Sequence, residues 1–148
     1  MKLAHDMLTH GVNIVCAQHE GKRGGLAVAW ATQVGTDHVL ICVGAQSYTR
    51  ELILGSGAFG LSVLRADQLE VARWFGTQSS HHVDKLAQVA YHLGETGSPL
   101  LDDCAVNLDC RVVEVHDFRR EKLIIGQVVG ARLAEEPFEP LIYRSKDY

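Results

Sequence analysis

Proline is scarce in this chain, paired cysteine motifs are absent, and no long apolar run occurs. Only Pro99, Pro137 and Pro140 are present among 148 residues, the last two marking a turn before the closing "LIYR". No apolar stretch approaches the ~20 residues that a membrane-crossing helix needs, and "MKLAHDMLTHG" carries neither a long apolar core nor a small-residue cleavage site, so a cytoplasmic protein is expected. Cys16, Cys42, Cys104 and Cys110 form no C-x-x-C pair and each adjoins apolar residues, which suits buried free thiols. With 14 basic against 18 acidic residues the formal charge is −4, which leaves no basic excess for a phosphate backbone and argues against nucleic acid. There is no P-loop, no G-x-G-x-x-G and no nucleophile elbow.

What is present is strand-like. "VNIVCA" (12–17), "GLAVAWAT" (25–32), "HVLICV" (38–43), "AFGLSVL" (58–64), "AVNLDCRVVEV" (105–115) and "LIIGQVVGARL" (123–133) are rich in β-branched residues and separated by Gly, Asp and charged turns. The pattern predicts one mainly β domain over residues 1–148, an antiparallel sheet closing into a barrel, with short helices. In 105–115, Val106, Leu108, Cys110 and Val112 alternate with Asn107, Asp109 and Arg111, which predicts one buried and one wet face. One helix is expected from Ser47. A second lies in "RADQLEVARWFG" (65–76), with Asp67 as N-cap, an apolar stripe of Leu69, Ala72, Trp74 and Phe75, and Gly76 as its stop. The polar segment 77–88 reads as loop or a short helical turn. Its His81, His82 and Asp84 lack the spacing that converges on a metal ion, and no metal is expected.

Two stretches stand out. In "GLAVAWATQ", Leu26, Val28, Trp30 and Thr32 fall on one strand face and Ala27, Ala29, Ala31 and Gln33 on the other. A face that bare admits a helix or a flat ring at close range. In "AQSYTREL" (45–52), Ser47 as N-cap puts Arg50 at the third helical position, where a reciprocal capping box would have Glu or Gln. The helix start stays electropositive, with two hydroxyls and an Arg, a combination that either caps the helix or cradles an anion.

Taken together and in order, "HGVNIVCA" (10–17), "GGLAVAWATQV" (24–34), "VGAQSYTRELI" (43–53), "SGAFGLSVL" (56–64), "VARWFG" (71–76), "DKL" (84–86), "LDCRVVEV" (108–115) and "IIGQVVGA" (124–131) resemble the flavin reductase-like family of FMN-binding split β-barrels. The resemblance implies an FMN-binding oxidoreductase, in which hydride from NAD(P)H reduces the flavin and electrons leave to free flavin or another acceptor. By the same resemblance Trp30, Ala31, Thr32 and Gln33 would line the flavin, while Gln46, Ser47, Tyr48, Thr49 and Arg50 would hold its phosphate tail. Lys85 matches a family lysine near the cofactor; read from composition alone it is a solvated surface charge. A homodimer is implied, to which an exposed Trp74–Phe75 pair or the "IYRSKDY" end could contribute.

The chain departs from the family pattern where many pyridine-nucleotide-using members carry Asp-His and this chain reads Arg120-Glu121. A carboxylate cannot replace the neutral hydrogen-bond donation of an imidazole. An FMN electron carrier of the flavoredoxin-like branch, without a nicotinamide site, is therefore an alternative. A non-redox barrel that binds a small ligand is a third.

Overall fold

The computed structural model describes residues 7–45 and 47–148. Nine strands are found among them: β1 (Asn13–His19), β2 (Lys22–Val28), β3 (Ala31–Val34), β4 (His38–Val43), β5 (Ala58–Val63), β6 (Tyr91–Leu93), β7 (Pro99–Leu101), β8 (Val106–Phe118) and β9 (Glu121–Leu133). Two α-helices, α1 (Tyr48–Ser56) and α2 (Leu69–Thr77), join a 3₁₀ turn at Lys85–Gln88 and another at Ser145–Asp147.

Seven strands form one antiparallel sheet in the order β2-β1-β5-β8-β9-β4-β3. Its edge strands β2 and β3 are consecutive in the chain, with only Ala29 and Trp30 between them. A sheet whose two edges are tied that closely must curl until the edges approach, and the result is the expected split barrel. The predicted single strand 25–32 is therefore two. The Ala31 N–H donates to the Ala29 carbonyl at 3.0 Å, a three-residue turn centred on Trp30 that moves the chain from the β1 edge to β4, whose Cys42 N–H donates to the Trp30 carbonyl. The turn shifts the side-chain alternation by one residue.

Two apolar layers use opposite faces of β1. Val15 and Ala17 face the barrel core with Ile41, Val43, Phe59, Leu61 and Ile124, while Ile14 and Cys16 face an outer layer with Ala72, Phe75, Leu86 and Leu101. Burial on both faces explains the unbroken apolar run in β1. Helix α1 closes one end of the barrel, its Leu52 and Ile53 belonging to the barrel core.

Several expectations are corrected. Gln68, not Asp67, is the N-cap of α2 and makes no capping bond; its side-chain oxygen accepts from the Arg65 N–H at 2.9 Å, while Asp67 pairs with Arg65. The helix also passes Gly76 by one residue. Phe75 is buried, and the half-buried Trp74 donates its ring N–H to the Lys85 carbonyl, so neither forms an exposed pair. The closing "LIYR" forms no strand; it makes one isolated bridge, Ile142 with Gly11, and Pro140 just before it makes another with Arg65.

The predicted wet face of β8 is buried where it starts. Asn107 donates to the Ser62 hydroxyl at 2.9 Å and the Leu101 carbonyl at 3.0 Å and accepts from Arg132 at 2.7 Å; Asp109 accepts from the Thr96 N–H and hydroxyl. The β6–β7 hairpin and its turn cover this face and satisfy its polar groups, which is the condition for burying them.

Candidate functional site

The bare alanine face becomes a groove on the outside of β2. Three adjoining hollows, of about 200, 230 and 190 Å³, all include Ala27. Ala27 and Ala29 form the floor, Trp30, Cys42, Gly44 and Tyr143 the wall at one end, and Ser47, Tyr48, Thr49, Ser80 and Lys85 the other end. Tyr148 stacks on Tyr143 at a ring distance of 5.3 Å along one side. A methyl floor flanked by aromatic rings suits a flat heterocycle, and its length suits a ligand with a tail.

The polar end is built around two glycines. A Cβ on Gly24 would meet Thr49 Oγ1 and the Tyr48 ring at 3.0 Å, and a Cβ on Gly25 would meet the Phe75 ring at 2.7 Å and Cys16 Sγ at 2.9 Å. Bare Gly24 lets the start of α1 settle on β2, and bare Gly25 admits the Phe75 ring of α2. Ser47 caps that start, its hydroxyl accepting from the Arg50 N–H at 3.1 Å. The first-turn N–H groups of an α-helix have no partner within the helix, and with the dipole they favour an anion.

Lys85 is the decisive side chain here. It is only 3% exposed, so its solvated-surface reading is overturned. Its Nζ donates to the Gly25 carbonyl at 2.8 Å and the Phe75 carbonyl at 2.7 Å. Burial pulls its pKa down to about 8, opposed by the neighbouring Cys16, while burial pushes the Cys16 thiol up to about 12. A partly desolvated cation beneath a helix N-terminus is a strong anion-binding combination.

Arg23 and Asp84 hold the segment that carries Lys85. The Arg23 guanidinium donates to both Asp84 oxygens, at 3.0 and 2.6 Å, and to the Tyr91 hydroxyl. The fork keeps the Asp84 carboxyl below its usual range.

The sequence-derived set divides in space. Trp30, Ser47, Tyr48, Thr49 and Lys85 share the groove. Ala31, Thr32 and Gln33 lie past the Trp30 turn, on a separate cavity at the open end of the barrel. The Arg50 guanidinium points elsewhere, donating to the Arg120 carbonyl at the β8–β9 tip at 3.0 Å. Gln46 lies outside the described residues. Glu121 approaches the groove wall: burial raises the Cys42 thiol pKa and the Glu121 charge raises it further. Asp84 is engaged by Arg23, and among the described residues no cluster of three or more metal-ligating side chains occurs.

Ser80 was not singled out by sequence. Its hydroxyl donates to the Gly25 carbonyl at 3.0 Å and accepts the Gly25 N–H at 3.2 Å, extending the groove end as a strand would. In sequence, Tyr143 and Tyr148 belong only to the "IYRSKDY" end. No local pattern marks these residues, because they reach the groove only through tertiary packing.

Residues 5–148 match the flavin reductase like domain. A ferric-chelate reductase (NAD(P)H) of Archaeoglobus fulgidus is 28% identical over 133 residues, covering 87% of this chain and 79% of the relative. The solved NADH:FAD oxidoreductase of Streptomyces globisporus superposes with a TM-score of 0.83 at 26% identity, over 92% of this chain and 81% of its own. The fold is also that of flavoredoxin from Methanosarcina acetivorans, with a TM-score of 0.89 at 24% identity over 99% of this chain and 87% of that one. With nearly the whole chain matched, the protein belongs to the flavin reductase-like family.

Proposed function

We propose that this chain is an FMN-binding oxidoreductase of the flavin reductase type, a single domain that works as a homodimer in the cytoplasm with NAD(P)H as electron donor. The observation that carries it is the buried Lys85 ammonium, set at one end of an alanine-floored groove beside the α1 N-terminus. The residues fit the cofactor: Lys85, the first turn of α1 and the Ser47 and Thr49 hydroxyls suit a phosphate dianion, and Ala27, Ala29, Trp30 and Tyr143 suit a tricyclic ring. Bound FMN supplies the two-electron chemistry. The chain supplies position: close approach over methyl groups, aromatic flanks that exclude water, and a fixed cation that raises local affinity for the tail. The outer edge of β3, which among the described residues pairs only with β4, offers backbone groups to the polar rim of such a ring.

The dimer draws support from the exposed apolar side chains Trp30, Val113, Val115 and Phe118. Cytoplasmic residence draws support from four cysteines, all unpaired. Purified protein should be yellow, and NADH or NADPH should bleach it; a colourless protein whose melting temperature FMN does not move sinks the reading.

Glu121 beside Cys42 favours a second reading, an electron carrier without a nicotinamide site. A carboxylate whose charge reaches Cys42 disfavours the pyrophosphate of an approaching dinucleotide. Flavin that bleaches with dithionite and with neither nucleotide selects the carrier.

A further inference from the structure

A further cavity lies outside the groove. It lies at the barrel end opposite α1, holds about 450 Å³ and is walled by Val39, Leu61, Val63, Leu108, Val128 and Ala131. Those side chains come from β4, β5, β8 and β9 and face the barrel interior, with Ala31 of β3 closing the ring. The volume falls within the range of small-molecule pockets, and barrel mouths are a common place for them. The barrel fills its other end with its own Leu52 and Ile53, whereas none of the described residues fills this one. Apolar walls that wet carry a standing cost of about 25 cal/mol per Å², which an apolar occupant removes.

The rim sets the occupant's chemistry. The Asn13 amide donates to the Val28 carbonyl at 3.1 Å, which leaves its side-chain oxygen as an acceptor. The Gln33 amide donates to the Gly35 carbonyl at 3.0 Å and leaves its oxygen in the same way. The Thr32 hydroxyl donates to the Gln33 carbonyl. His38 Nδ1 lies 2.8 Å from the Asp37 carboxylate, which holds the ring at the rim. Each amide keeps one N–H beside its free oxygen, and the Thr32 oxygen and the Asp37 carboxylate add further acceptors, so the spare capacity of the rim is acceptor-rich. The Asp37 charge also disfavours a carboxylate ligand.

We propose that the barrel mouth is a second binding site, separate from the groove, for a small uncharged ring compound that carries a hydroxyl donor. It takes the ring against Leu61, Val63, Leu108 and Val128 and the hydroxyl at the Asn13–Gln33–His38 rim. The two sites meet at the Ala29–Trp30–Ala31 corner, where one residue faces the groove and the next faces the mouth. The proposal does not depend on the identity of the groove ligand.

The test is titration of the full chain, with and without FMN, with 4-methylphenol, toluene and 4-methylbenzoate, read from the methyl NMR signals of Val63, Leu108 and Val128. Saturable shifts are expected with 4-methylphenol at about millimolar concentration or below, with toluene and 4-methylbenzoate at least about fivefold weaker. Val128→Phe should weaken 4-methylphenol about tenfold while flavin affinity stays within about twofold. Asn13→Leu, which leaves the walls intact, should instead erase the preference over toluene. The proposal is overturned by shifts confined to groove residues such as Ala27, by equal binding of phenol and toluene, or by mouth methyls that respond only to protein concentration. The last result would mean that a second copy covers the mouth.

Discussion

The two ends of the barrel solve the same problem in opposite ways. At one end α1 drops Leu52 and Ile53 into the core, and its N-terminus lines the groove beside β2, so the plug doubles as the positive wall of the groove. At the other end the strands simply stop, leaving apolar walls around an open cavity. The difference teaches that chemistry collects where a helix terminus must be accommodated. Bringing α1 onto β2 requires Gly24, the adjacent Gly25 makes room for Phe75 of α2, and the Gly25 carbonyl anchors Lys85.

The comparison breaks most sharply at Lys85. Lys85→Met should weaken FMN binding by about 100-fold, on the order of 3 kcal/mol, by removing a desolvated cation from the anion end. Binding of 4-methylphenol at the mouth should stay unchanged, and fluorescence titration of the flavin reads the difference. Gly25→Ala comes next, because its Cβ has no room beside Phe75 and Cys16; overpacking of that kind costs about 1–3 kcal/mol, measurable as a lower urea midpoint. Flavin affinity should fall with it, since the anchoring carbonyl moves.

A smaller effect comes from pH. Lys85 is a base whose folded pKa, about 8, lies below its ordinary 10.5. A phosphate monoester is already close to dianionic at pH 7, so between pH 7 and 9 the change at the anion end is deprotonation of the ammonium. FMN affinity should fall about tenfold over that interval, and Lys85→Met should flatten the profile. The stability linkage runs the other way. Between about pH 8 and 10.5 the unfolded chain holds the extra proton, so this group's contribution to apo stability rises with pH across that window. A fall in FMN affinity that persists in the methionine variant would place the titrating group elsewhere.

What the sequence discloses is mostly one-dimensional. The two-sided burial of β1 is visible in "VNIVCA", and the groove floor in the alternation of Ala27 and Ala29 at the end of β2, because both are periodicities along a short stretch of chain. The Trp30 turn is invisible, since β-compatible residues continue through it and only the transfer of the chain from β1 to β4 reveals the break. Asn107 and Asp109 read as wet because they are polar. Their burial is decided by Ser62, Thr96 and Arg132, from other strands and turns. Lys85 misleads for the same reason: "VDKLAQ" is locally polar, and the carbonyls that hold the ammonium come from residues 10 and 60 positions away. The Gly94–Gly97 turn between "YHL" and "PLL", by contrast, is a local hairpin signal.

The smallest effect separates the two roles of the α1 N-terminus. Ser47→Ala removes the acceptor for the Arg50 N–H and should cost about 1 kcal/mol of stability, seen as a reduced melting temperature without ligand. Thr49 makes no capping bond to α1 and its side chain packs against Gly24, so Thr49→Ser keeps the hydroxyl while giving up one methyl contact. If the hydroxyls serve the ligand as well as the helix, Ser47→Gly should lose several-fold in FMN affinity while costing only a few tenths of a kcal/mol in stability, because glycine is a tolerable cap. Retained affinity in Ser47→Gly would leave the anion to Lys85 and the backbone N–H groups alone. The plugged end would then differ from the open end by one buried charge and a helix dipole rather than by its hydroxyls.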